Sequence, residues 1–106
     1  MEYLNKVELQ GQIGHARISL IDKTTHIQFS VATNFIDKKT NGITVVETTW
    51  HNCSYFTTSQ EEIDQFQKGA IVHLTGRICM RKYTTVNGQE QNTIEIKVQK
   101  IDFIKS

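Results

Sequence analysis

Long runs of alternating apolar and polar residues, broken by one short segment, constrain this chain more than any other feature. Val7, Leu9, Gly11 and Ile13 alternate with polar neighbours, the period of a half-buried strand. Ile27, Phe29, Val31, Thr33 and Phe35 repeat the pattern. A third run, from about Thr44 to Phe56, is rich in the β-branched and aromatic residues that suit a pleated surface. Along it Val46, Thr48, Trp50, Asn52, Ser54 and Phe56 share one face, and Val45, Glu47, Thr49, His51, Cys53 and Tyr55 share the other. The fourth run, Ile71 to Tyr83, and the fifth, Thr93 to Ile104, flank Asn87-Gly88. Asn41-Gly42 separates the second run from the third. Both dipeptides tolerate the positive φ of tight hairpin turns.

The segment after the third run changes character. Ser59-Gln60-Glu61-Glu62 has the form of a capping box, in which Ser59 and Glu62 satisfy each other's orphan amides. Ile63 and Phe66 give an apolar stripe, and Gly69 stands where a C-terminal cap belongs, so a short helix is expected from about 60 to 67. Five strands with one helix between the third and fourth is the plan of the OB fold, an all-β Greek-key barrel whose face and loops often bind oligonucleotides or oligosaccharides. With 106 residues the chain is expected to form one domain, 1–106.

The residues point to binding rather than catalysis. His15, His26, His51 and His73 lie at no zinc-ligand spacing from one another or from a Cys, so no metal and no cofactor are expected. Cys53 and Cys79 are far apart and read as reduced thiols. No nucleophile elbow, phosphate loop or HExxH is present. Glu61 and Glu62 fall in the first helical turn, where they complement the dipole. The net charge of +1 neither marks nor excludes a nucleic-acid partner. With no signal peptide or long apolar stretch, the expected compartment is the cytoplasm, at the nucleoid, with no membrane partner.

Aromatic and cationic residues fall together. Phe35 is followed by Lys38 and Lys39 at the tip of the 2–3 hairpin. Trp50 and Phe56, six residues apart, share a strand face. Tyr83 follows Arg81 and Lys82, with Arg77 on the same arm. Flat rings for base stacking plus positive charge along a backbone path are what single-stranded nucleic acid requires. Phe29, Phe66 and Phe103 read as core or interface packing, and Glu8, Glu47 and Glu95 as strand-face residues with no special role.

Six stretches occurring in order, among them Asn5-Lys6-Val7-Glu8-Leu9-Gln10-Gly11-Gln12-Ile13-Gly14, Thr49-Trp50-His51-Asn52, Thr75-Gly76-Arg77-Ile78 and Arg81-Lys82-Tyr83-Thr84, resemble the bacterial single-stranded DNA-binding proteins. The resemblance implies a homotetramer of OB folds that wraps single-stranded DNA without sequence preference and protects it during replication, recombination and repair. It places Trp50, Phe56 and Tyr83 at stacking positions, the last being Tyr where the family usually has Trp. A fourth stacking Trp of the family has no counterpart here; Phe35 or Ile36 stands near its place, and Phe35, being aromatic, is the expected substitute. Lys68, Arg81 and Lys82 match basic positions along the DNA path, and His51 matches a subunit-interface position. The family usually continues into a flexible linker and an acidic, Phe-terminated tip that recruits other enzymes. This sequence stops at Asp102-Phe103-Ile104-Lys105-Ser106, so tail-mediated recruitment is not expected of it. Two other functions fit the fold: a dimeric primosomal adaptor protein, and an OB-fold binder of oligosaccharide or protein whose affinity would be nearly independent of salt.

Overall fold

The computed structural model describes residues 2–105. Five strands, β1 (Val7–Ile21), β2 (Thr24–Lys38), β3 (Thr44–Thr57), β4 (Ile71–Thr84) and β5 (Glu90–Ile104), close into a barrel in the order β1-β2-β3-β5-β4. All neighbours pair antiparallel except β3 and β5, which run parallel through Cys53↔Ile96 and Ser54↔Lys97 and shut the barrel. One helix, α1 (Gln60–Asp64), lies between β3 and β4. The architecture is the OB fold expected from the element order.

Inside, Ile13, Ile27, Phe29, Val31, Cys53, Phe66, Val72, Leu74, Ile96 and Ile101 form one buried cluster. Phe66 is its keystone: its ring meets Phe29 and Phe103 edge-on, with centroids 5.0 and 4.9 Å apart. Cys53 and Cys79 are free thiols, and burial pushes the Cys53 pKa up to about 12, which leaves that thiol inert.

Two hairpins extend the strands past this core. Most of residues 34–50 of β2–β3 and of 77–94 in β4–β5 are exposed. They give a radius of gyration of 16.4 Å, against the roughly 13 Å usual for a compact domain of this length.

The helix is shorter than its sequence pattern. Ser59 Oγ accepts from the Glu62 amide at 3.2 Å, the first half of a capping box. The reciprocal half is missing, because the Ser59 amide donates instead to Thr57 Oγ1 at 3.1 Å. The Glu62 carboxylate is taken by two hydroxyls of β3, Tyr55 at 2.9 Å and Thr57 at 2.6 Å, so it ties the helix to the strand. The helix then ends at Asp64, with Gln65 as its cap, rather than at 67. Tertiary bonds explain the early stop. The Gly69 amide donates to Ile13 O, and the Ile13 amide to Ala70 O, both at 2.8 Å. These bonds draw residues 65–70 down onto β1 and carry Phe66 into the core. Gly69, at φ +94°, therefore serves that turn and not a helix cap.

The 2–3 and 4–5 turns follow the Asn-Gly pattern, with Gly42 at φ +84° and Gly88 at +81°. The β1–β2 turn does not. It is a two-residue hairpin in which Asp22 and Lys23 both take positive φ, 48° and 69°, between the paired Ile21 and Thr24.

Candidate nucleic-acid interface

Strand parity decides which side chains meet. In the β2–β3 ribbon His26 pairs with Phe56, Ser30 with Asn52, Ala32 with Trp50 and Ile36 with Val46. Opposite residues of an antiparallel pair project to the same side. Trp50 and Phe56 thus share one face, as expected, and both are more than half exposed. Phe35 pairs with Glu47 and lies on the other face, with Thr33, Thr49 and His51. Phe35, the expected aromatic substitute, is not brought to the Trp50 face; Ile36 occupies that parity.

Trp50 lies across Gly14 of β1. A Cβ built on Gly14 would come within 2.8 Å of the indole Cη2 and 2.9 Å of Ser30 Oγ, so only glycine leaves room for the ring. A groove of about 190 Å³ at this spot is lined by Trp50, Gly14, Gln12 and Lys68. The expected base Lys68 is therefore brought beside the expected ring.

Phe56 has a different support. Its ring stacks on His26 of β2, with centroids 4.4 Å apart and planes 18° off parallel. His26 is buried, and its Nε2 has no hydrogen-bond partner among the described residues. Burial lowers the imidazole pKa; Glu95 opposes this and Arg81 adds to it. The ring behind Phe56 is a neutral one.

A cleft of about 370 Å³ is lined by His15 and Arg17 of β1, Gln28 of β2, Asn52 of β3, and Arg81 and Glu95 of the β4–β5 hairpin, over a floor that includes Phe29 and Cys53. A groove of about 220 Å³ joins Trp50 to Asn52, Ile94 and Glu95, three residues that the cleft shares. Arg81 Nη2 sits 2.9 Å from Glu95 Oε1. That oxygen is buried without a hydrogen bond of good geometry, so the contact is one of charge. Glu95, read from sequence as a plain strand-face residue, is the counter-ion of a proposed DNA contact.

The remaining candidates divide. Arg77, Arg81 and Tyr83 share one face of β4–β5, while Lys82 lies on the other with Met80. The Tyr83 hydroxyl donates to Gln91 Oε1 at 2.6 Å, which holds the ring at the hairpin end. Lys38 has the parity of Trp50 and Ile36, and Lys39 is paired with Asp37 at 2.8 Å. His51 bonds Thr33 Oγ1 at 2.8 Å on the face away from Trp50.

His15, Arg17, Gln28 and His26 are parts of the site that sequence reasoning missed. The pairing slips between Ile13 and Ala16. Core-facing positions of β1 change there from odd to even, which turns Arg17 outward opposite Gln28. No local signal marks that bulge.

The single-strand binding protein family model matches residues 4–104. Two single-stranded DNA-binding proteins of Neisseria meningitidis, from serogroup A and serogroup B strains, are each 35% identical over 96 residues, covering 88% of this chain and 55% of the relative. The chain thus spans about half the length of those relatives. Among solved structures, a Plasmodium falciparum SSB complex with ssDNA superposes with a TM-score of 0.79 at 26% identity, covering 99% of this chain and 98% of the other. A deletion mutant of the single-stranded DNA-binding protein from Thermus aquaticus gives 0.76 at 17% identity, over 96% of this chain and 51% of the other, a likeness of fold.

Proposed function

Because the chain belongs to the single-strand binding protein family, we propose that it binds single-stranded DNA without catalysing a reaction, 1–106 acting as one binding domain. The observation that carries this is the setting of Trp50: an indole 57% exposed, seated on Gly14, with Lys68 beside it and a groove leading from it toward Arg81. Exposed rings give bases a surface to stack on, worth about 1–3 kcal/mol per base. The cations answer the phosphates, with an affinity that falls as salt rises.

In this account Trp50, Phe56 and Tyr83 are the stacking platforms, and Lys68, Arg77, Arg81 and Lys38 line the backbone path. Lys39, Lys82 and Phe35 contribute from the hairpin tips and opposite faces of the ribbons. His51, which sits with Phe35 away from Trp50, belongs to a contact between copies of the chain, and the assembly is a homotetramer. The cellular role that follows is protection of unpaired DNA during replication, recombination and repair in the cytoplasm. Among the described residues no helix is long and apolar enough to cross a membrane.

Anisotropy of labelled oligo(dT) and of a duplex of equal length, each across a salt series, tests the reading. Tight, salt-sensitive binding of the single strand over the duplex supports it. Equal binding of both, or affinity that ignores salt, overturns it in favour of an adaptor or saccharide-binding role. Native mass spectrometry tests the assembly: tetramers are expected, and a dimer would favour the adaptor.

A further inference from the structure

Two buried side-chain atoms lack a hydrogen-bond partner among the described residues, and both belong to the candidate interface: His26 Nε2 and Glu95 Oε1. Gln28, two residues along β2 on the His26 face, lines the cleft together with Arg81 and Glu95. Those two are the charges that act on the imidazole. Burial keeps the ring neutral in the free chain; Glu95 draws a proton toward it and Arg81 opposes one. The other groups around the ring are few. On β1, Ser19 stands opposite His26, Arg17 lines the cleft, and His15 is engaged at Ser30 Oγ, 3.1 Å away. On β3, Phe56 covers the ring and Cys53 is a protonated thiol.

A bound strand changes this balance. Arg81 is half exposed and can turn to a phosphate, whereas the Glu95 side chain, 12% exposed, cannot follow it into solvent. Arg81 is also the only ion-pair partner of Glu95 among the described residues. Its withdrawal leaves a buried carboxylate alone, a state that proteins avoid by pairing the charge or taking up a proton. The imidazole is the readier acceptor, since ordinary pKa values are about 6.5 for His and about 4.3 for Glu. Protonation also keeps the platform seated, because a cation 4.4 Å from the Phe56 centroid is drawn to the face of that ring.

Resting on the single-strand binding reading above, we propose that seating a phosphate on Arg81 takes up a proton from solvent at His26 Nε2, so that the imidazolium replaces Arg81 as counter-ion of Glu95. Charge balances: the guanidinium passes from carboxylate to phosphate, and the solvent proton answers the carboxylate. Binding is thereby linked to pH. His26 holds its proton more tightly in the bound chain than in the free one. Affinity therefore rises as pH falls through the bound-state pKa and levels off below the free-state value.

The test titrates oligo(dT) by anisotropy from pH 7.5 to 5.5, where neither thymine nor the phosphodiester changes its charge, with folding followed by circular dichroism. Affinity is expected to rise roughly tenfold toward the lower pH. Calorimetric titration in two buffers of different ionisation enthalpy is expected to show net proton uptake on binding. Both signals should be largely lost in His26→Gln and in Glu95→Gln, and kept in His15→Gln. An affinity independent of pH, in protein that binds oligo(dT), overturns the proposal. So does uptake that persists in His26→Gln, which puts the proton on Glu95, or uptake that vanishes in His15→Gln, which puts it on His15. Failure of oligo(dT) to bind at any pH overturns the underlying reading, and the proposal with it.

Discussion

The six-membered ring of Trp50 lies over Gly14, in the space that a side chain at that position would fill. Replacing Gly14 by Ala therefore moves the ring. Because the indole is exposed at the end of a rotatable side chain, the displacement is expected to cost no more than about 1 kcal/mol of stability. Affinity for oligo(dT) should nevertheless fall several-fold, since the platform is no longer aligned with the strand. Thermal unfolding and anisotropy on Gly14→Ala check both halves; an unchanged affinity would mean that the seat of Trp50 does not matter for binding.

The Arg81–Glu95 contact holds one cation of the DNA path against a carboxylate. A strand must draw Arg81 away from that partner. Glu95→Gln removes the competing charge and is expected to tighten oligo(dT) binding. It should also steepen the dependence of log affinity on log salt by up to about 0.7, the increment of one phosphate neutralised on a single strand. Weaker binding would show that Glu95 orients Arg81 instead of restraining it.

Lys68, beside Trp50 and without a carboxylate partner among the described ion pairs, gives the converse case. Lys68→Ala is expected to weaken binding to all sequences alike and to flatten the salt slope by about 0.7. An effect that depends on base identity would contradict a phosphate role.

His26 couples Phe56 to pH. Its folded-state pKa lies below the ordinary 6.5 because burial disfavours the imidazolium. Between the two values the unfolded chain binds more protons than the folded one, so stability rises with pH in that window. His26 leaves the protein undisturbed above pH 6.5 and destabilises it increasingly as pH falls below that value. Denaturant unfolding from pH 7.5 to 5 is expected to show a smaller loss in His26→Gln than in the unaltered chain. Parallel profiles would show that the buried imidazole is not the titrating group.

Much of this was legible in the alternation of side chains. The five runs and the shared face of Trp50 and Phe56 follow from a period of two, and the helix between the third and fourth runs from the Ser59–Glu62 capping pattern; both signals depend on local sequence alone. What was hidden depends on pairing. The bulge between Ile13 and Ala16 sets which way Arg17 points, and nothing in β1 announces it. The same holds for Phe35: its aromatic ring made it the expected substitute over Ile36, but its pairing with Glu47 puts it behind the sheet from Trp50. Helix length failed for a similar reason. The bonds from Gly69 and Ala70 to Ile13 cross more than fifty residues of sequence, and they override the apolar spacing of Ile63 and Phe66.

A base stacked on Trp50 can be observed directly, because Trp50 is the chain's single tryptophan. Intrinsic indole fluorescence should be followed during titration with oligo(dT) at low and high salt, with duplex DNA as the control. Strong quenching by the single strand is expected, with a midpoint that moves to higher concentration as salt rises and little change with duplex. Tight binding of oligo(dT) by anisotropy with no change in indole emission would contradict stacking on Trp50.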